Sequence, residues 1–233
     1  MFDMDLNQLA LTVSVWILPV LIAVTFHEAA HGYVAWKLGD DTAKRLGRVT
    51  FNPFKHIDRF GTILMPALLL FVSGGKFMFG YAKPVPVNFG RLRNPRGHMV
   101  LVALAGPGAN IILAVVSTVA LLGVSALPPD VADWAARNLV NSVWLNLILA
   151  VFNMLPVPPL DGGRVAVGLL PDVLAIPLAG LERVGMLIIL GGVFLLPFIG
   201  DQIGMDLNVF WWLVGTPASQ LMNFLFTALG LAG

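Results

Sequence analysis

A chain of 233 residues that is 58% hydrophobic and only 12% charged lacks the polar surface of a water-soluble domain, in which about a quarter of the residues are charged. Its net charge of +1 points to no particular partner, and no basic run is interleaved with stacking aromatics, so nucleic acid binding is unsupported. The absence of cysteine excludes disulfide frameworks, thiolate metal sites and thiol nucleophiles, so a metal would have to be held by His, Asp or Glu.

Crossing a bilayer takes about 20 mostly apolar residues. Leu9 to Leu38 supplies the first such run, with Pro19 inside it and His27, Glu28 and His31 in its second half. Met1 to Asn7 carries two Asp and no base, unlike the basic start of a signal peptide, so this first span is expected to be retained and to insert with its N-terminus outside. Gly39 to Arg59 is polar, and Arg48 to Phe51, stopped by Asn52-Pro53, reads as a short strand or hairpin. Gly61 to Val72 is apolar but too short for a clean crossing and suits a re-entrant segment. Lys83-Pro84-Val85-Pro86-Val87-Asn88 cannot be helical throughout and should be extended.

His98 to Ser125 and Trp134 to Leu155 read as two further spans joined by a loop over Leu127 to Asp133. After Pro156-Val157-Pro158-Pro159 and Leu160-Asp161-Gly162-Gly163-Arg164 come two more apolar stretches, Val184 to Ile199 and Leu207 to Leu231. No internal repeat is visible, which argues against an inverted-repeat transporter. The expected fold is an all-α membrane protein of one domain over 1–233: a polytopic bundle of about five spans plus a re-entrant segment, with a short β-hairpin or extended segment near the cytoplasmic face. The core covers roughly 9–170, with additional C-terminal spans over 184–231.

Charge placement sets the expected orientation in the cell membrane. Lys37, Lys44, Arg45, Arg48, Lys55 and Arg59 follow the first span, and Lys76, Lys83, Arg91, Arg93 and Arg96 precede the next long one. The opposite ends carry Asp3, Asp5, Asp130, Asp133, Asp201 and Asp206, with Arg137 the only base. The basic loops should be cytoplasmic and the N-terminus outside. The span from Trp134 then runs inward and delivers Asp161 to the same side as His27.

His27-Glu28-Ala29-Ala30-His31 is an H-E-x-x-H motif on a helix. Residues at i and i+4 share a face, so both imidazoles can grip one ion while Glu28 is placed to take a proton from water. Zinc is the default ion for a His and carboxylate site without a redox task. A catalytic site needs a third protein ligand. Asp161 is the candidate, on the correct side and beside Gly162-Gly163, which would let backbone and metal approach closely.

These motifs, in the order His27-Glu28-Ala29-Ala30-His31, Ala105-Gly106-Pro107-Gly108-Ala109-Asn110, Asn153-Met154-Leu155-Pro156 and Leu160-Asp161-Gly162-Gly163, resemble the site-2 protease family of intramembrane zinc metalloproteases. The resemblance implies that His27, His31 and Asp161 bind a single Zn2+ and that Glu28 is the general base. Asn153 matches a family asparagine that would contact the oxyanion or substrate backbone, and Asn110 would buttress helix packing. No stretch is long and polar enough for the PDZ or CBS domains of many relatives, so a minimal bacterial-type form is expected. The implied function is hydrolysis of peptide bonds in or near transmembrane segments of membrane-protein substrates, in regulated intramembrane proteolysis, with the lipid bilayer as surroundings. Homo-oligomerisation stays open. The alternative is a transporter or metal carrier using the same His and Asp groups.

Overall fold

The computed structural model describes residues 6–65, 68, 71, 80 and 82–231. Helix α1 runs over Leu6–Lys37 and continues through Pro19, which a membrane helix tolerates when its neighbours compensate the lost donor. It ends at Gly39, whose φ of 120° only glycine adopts readily. The short α2, Thr42–Arg45, follows. Helix α3 is Pro95–Leu121, started by the Asn94 side chain, which accepts from the Gly97 N–H, with proline in the first turn where a missing N–H costs nothing. Helix α4 is Pro129–Asn153, so the loop expected over Leu127 to Asp133 is shorter than its polar sequence suggested.

Three short helices, α5 (Asp161–Leu169), α6 (Asp172–Gly180) and α7 (Glu182–Leu190), come next. Helix α7 continues through a π-helical turn, Gly191–Leu195, into α8, Leu196–Ile203. The last described helix starts at 209, passes through another π-helical turn, Trp211–Gly215, and ends as α9, Thr216–Ala228.

Four of the described helices are long and apolar enough to cross a membrane: Ala10–Lys37, Pro95–Leu121, Pro129–Asn153 and Glu182–Ile203. The fifth expected crossing is helical over 209–228, but Ser219, Gln220 and Asn223 dilute its apolar character, and it is not among the four. The expected re-entrant segment lies largely outside the described residues. Only its start is described, a π-helical turn over Arg59–Leu64 capped by the Asp58 carboxylate. No strand occurs among the described residues. Arg48 to Phe51 bends instead, because Thr50 is drawn into a turn, accepting from Asn52 N–H at its hydroxyl and from the His56 ring at its carbonyl. The extended path expected from Lys83 to Asn88 is present over 82–88.

Helix α3 packs between α1 and α4, and α5 lies against α3. Ala114, Val143, Leu147 and Ala218 form one fully packed centre joining α3, α4 and α9. Lipid offers no hydrophobic gain for pulling helices together, so small residues and interhelical hydrogen bonds matter. Asn141 donates to Val15 O at 3.0 Å, and the Trp134 ring donates to the Ser14 hydroxyl at 3.0 Å, tying α4 to α1. Ile17, Ile112, Val116, Val173 and Leu187 stay at least half exposed, as expected of surface that meets acyl chains.

Candidate metal centre

Helix α1 places His27 and His31 one turn apart with their rings 84° to each other. Each ring is held from behind. His27 Nδ1–H donates to Asn110 Oδ1 at 2.6 Å, and His31 Nδ1–H donates to the Val102 carbonyl at 2.7 Å. The Asn110 amide is oriented in turn, because its nitrogen donates to Ala23 O at 3.3 Å and to Asn146 Oδ1 at 2.8 Å. With both Nδ1 atoms donating, the neutral rings present lone pairs at Nε2.

Those two Nε2 atoms lie 3.1 Å apart, and Asp161 Oδ2, from the first turn of α5, sits 3.3 Å from each. Three acceptors thus converge with no donor among them, and Asp161 Oδ2 is buried without a hydrogen-bond partner. Such a triangle is stable only around a cation. Zinc at roughly 2.0–2.1 Å from tetrahedral ligands would hold its ligand atoms about 3.3 Å apart, close to the separations found here. Gly106 of α3 leaves the room: a Cβ there would lie 2.4 Å from His31 Nε2 and 2.7 Å from His27 Nε2. The donor set, the orphaned carboxylate oxygen and the cradle under Gly106 all fit a zinc ion.

Asp161 reaches the histidines because α5 is clamped at both ends. At its start, Gly162 and Gly163 lie on the preceding turn, where added Cβ atoms would come within 2.2 Å of Met154 O and 2.3 Å of Pro158 N. The two glycines therefore serve backbone-to-backbone packing, not close approach to a metal as the sequence suggested. At its far end, the Arg96 guanidinium donates to Gly168 O, Leu170 O and Asp172 Oδ1, closing the last turn of the helix.

Glu28 and Asn153 line the same cavity of about 370 Å³ as His27, His31 and Asp161. A strap of extended chain over 82–88 forms one wall, contributing Pro84, Val85 and Val87. The Val85 N–H donates to Glu28 Oε2 at 2.6 Å, so backbone fixes one oxygen of the carboxylate. The strap is anchored around that point. Lys83 N–H donates to His56 O at 2.9 Å, and Arg48 donates to Lys83 O at 2.7 Å. Asn88 N–H donates to Oδ2 of the fully buried Asp40 at 2.6 Å. Gly32 lets the strap lie flat on α1, since a Cβ there would be 3.0 Å from Val85 Cγ1.

All five residues read from the sequence as site residues therefore come together. Asn153 donates to Leu149 O of its own helix at 3.0 Å and also lines the cavity. The sequence reading missed the roles of Asn110, Gly106, Asp40 and Val85. It assigned Asn110 a packing role and Gly106 none beyond its motif, and nothing in a local pattern pairs Val85 with Glu28 or Asn88 with Asp40.

A helical membrane bundle that brings an H-E-x-x-H helix and a distant aspartate to one cation-sized point defines a membrane metallopeptidase. Comparison with known proteins agrees: the model of peptidase family M50 matches residues 15–130 and 126–198. The chain belongs to that family and is a multi-pass membrane protein with the zinc-dependent peptidase chemistry of its class. A relative from Bacillus subtilis, bearing the name "Putative zinc metalloprotease YwhC", is 41% identical over 178 residues, covering 75% of this chain and 77% of the relative. From Mycolicibacterium smegmatis, "Putative zinc metalloprotease Rip2" is 30% identical over 145 residues, covering 61% of this chain and 52% of that relative. The Mycobacterium tuberculosis protein of the same name matches to the same extent. The match thus spans about half the length of the Rip2 proteins. No solved structure matches the chain.

Proposed function

We propose that this protein is an intramembrane endopeptidase in which His27, His31 and Asp161 bind the zinc ion, Glu28 is the general base, and the substrate is a locally unwound transmembrane segment of another membrane protein. The observation that carries the reading is the meeting of two imidazoles and one carboxylate at 3.1–3.3 Å, in a cavity that Glu28 also lines. When bound, zinc supplies Lewis acidity to the scissile carbonyl and makes water easier to deprotonate. Glu28, with Oε2 fixed by the Val85 N–H, uses its other oxygen to take the proton of the attacking water and pass it to the leaving nitrogen. Asn153 has a free amide proton for the carbonyl oxygen as charge builds on it.

A helical substrate hides its backbone, so cleavage requires an extended chain. The strap over 82–88 is itself extended, and it offers carbonyl groups along one wall of the cavity for strand-like pairing with such a chain. The loops bearing Lys44, Arg45, Arg48 and Lys55 favour a cytoplasmic position for this end of the bundle, with the N-terminus outside. The whole chain acts as one catalytic unit.

The test is zinc content and cleavage of single-span substrates by the purified protein. Glu28→Gln should keep zinc and lose cleavage by about 10²-fold or more, whereas Asp161→Ala should lose zinc as well. Metal flux across vesicles that survives Glu28→Gln, with no cleavage by the wild type, would make the chain a carrier instead.

A further inference from the structure

We infer that Arg164 forms a subsite for an acidic side chain of the substrate segment, an inference that rests on the proteolytic reading above. Arg164 stands three residues after Asp161 on α5, on the same helix face, and its side chain lines the cavity that holds His27, Glu28, His31 and Asp161. It is the only Lys or Arg among the described residues of that lining.

Its side chain is 38% exposed, so its donors are open to solvent, and its only ion pair among the described residues is a loose one. The nearest carboxylate, that of Glu182, is 3.8 Å away on a side chain 60% exposed, too far for a hydrogen bond. Five N–H groups in a fixed fork therefore meet no acceptor at bonding distance among the described residues. The guanidinium rests instead against the Phe89 ring, 5.6 Å from its centre. The contrast with Arg96 is direct: near the other end of the same helix, that guanidinium reaches three acceptors. Arg96 is a brace, while Arg164 keeps donors that a ligand can take from solvent.

The surroundings select what could satisfy it. Val85 and Val87 on the strap, Phe89 just after it and Met186 on α7 make the neighbouring walls apolar, which suits an extended, mostly apolar chain. A carboxylate accepts both arms of the fork at once and pairs more strongly than a neutral carbonyl. Arg164 is the only side-chain cation among the described residues of this lining, and with zinc bound the charges of Asp161 and Glu28 are offset by the ion. An acidic residue is thereby directed to the side where Arg164, Phe89 and Met186 meet, and this sets the register of the substrate relative to the cut. Arg164 acts on selection and has no part in the proton transfers.

The experiment uses the full chain and single-span substrates in which one Asp, Asn or Lys is walked through the positions flanking the cut, with kcat/KM as the readout. At one position the wild type should prefer Asp over Asn by about tenfold, the worth of one charge-assisted pair. Arg164→Met should abolish that preference, Arg164→Lys should keep part of it, and Arg164→Glu should prefer Lys at the same position. Inversion of selectivity cannot come from a damaged fold. If the wild type shows equal rates for Asp and Asn at every position, or if Arg164→Met keeps the wild-type ratio, the subsite is refuted while the proteolytic reading stands. If Glu182→Gln and Arg164→Met lower all substrates alike, Arg164 only braces α7 and the inference fails. If no member of the panel is cut, the proteolytic reading falls and takes the subsite with it.

Discussion

Replacing Asn110 separates two functions that one buried amide performs. Asn110 is fully buried. It accepts from His27 Nδ1–H at 2.6 Å and donates to Asn146 Oδ1 at 2.8 Å. Asn110→Leu keeps the branching at Cγ with a bulkier side chain and removes these bonds along with the one to Ala23 O. The His27 N–H and the Asn146 oxygen are then left unpaired, at about 1–3 kcal/mol each, so the variant should lose roughly 2–6 kcal/mol of stability in detergent. Without its partner the His27 ring loses its fixed tautomer and orientation, which for a metal ligand costs about 10- to 100-fold in affinity. Asn110→Asp isolates the effect on stability. Its carboxylate still accepts from His27 and should hold zinc within a few-fold of wild type, but it faces the Asn146 oxygen with no donor and should destabilise the fold almost as much. Zinc affinity by chelator competition and melting of the zinc-free protein separate the two. If Asn110→Leu binds zinc as tightly as the wild type, His27 does not depend on this network and the reasoning is wrong.

Three further outcomes follow from the packing around the site. Gly106→Ala would push a Cβ to within 2.4–2.7 Å of both imidazoles; the rings must shift, so zinc should be lost and the zinc-free protein should melt lower as well, and full zinc occupancy in this variant would contradict the cradle. Gly32→Ala would press on Val85 Cγ1 at 3.0 Å and Val49 Cγ2 at 3.1 Å, overpacking worth about 1–3 kcal/mol. The expected result is unchanged zinc content with slower cleavage and faster hydrogen exchange at the Val85 amide. For Asp40, burial pushes the carboxyl upward, but the Thr42 hydroxyl and the N–H groups of Asn88 and Thr42 more than offset this and hold it below the ordinary carboxylate value. A folded pKa below the unfolded one stabilises fully above about pH 4 and loses its effect as pH falls through the folded value. Asp40→Asn should therefore speed exchange over 85–88 at neutral pH, and its difference from wild type should shrink in acid.

The helices and the core of the site were legible because both rest on local periodicity. An i, i+4 pair on an apolar helix puts two rings on one face whatever surrounds them, and charge asymmetry was enough to bring Asp161 to the same end as His27. The hairpin at Arg48 to Phe51 failed because β-propensity there competes with side chains that reach back to Thr50, a contact set by His56. The misreading of Gly162-Gly163 is similar: a sequence shows that a side chain is missing, but not whether metal, substrate or backbone uses the room. Gly106 shows the converse, a motif glycine without a role of its own assigned from the sequence whose empty side faces the two histidines.

What no local pattern encodes is the polar path behind the site. From His27 it passes to Asn110, then to Asn146, whose amide donates to the Ser142 carbonyl, while the Ser142 and Ser117 hydroxyls share a hydrogen bond at 2.8 Å. In a soluble protein such a string of buried amides and hydroxyls would compete with water and gain little net stability. Within a bilayer each unpaired group is costly, so the path lets α1, α3 and α4 meet in one register only, since a slip along any helix would strand several partners at once. That register also places His27 opposite Asp161. Helix specification and metal-ligand positioning are thus the same set of bonds. Substitutions along the path should accordingly act on zinc affinity in order of their distance from His27, with Ser117 affecting stability alone.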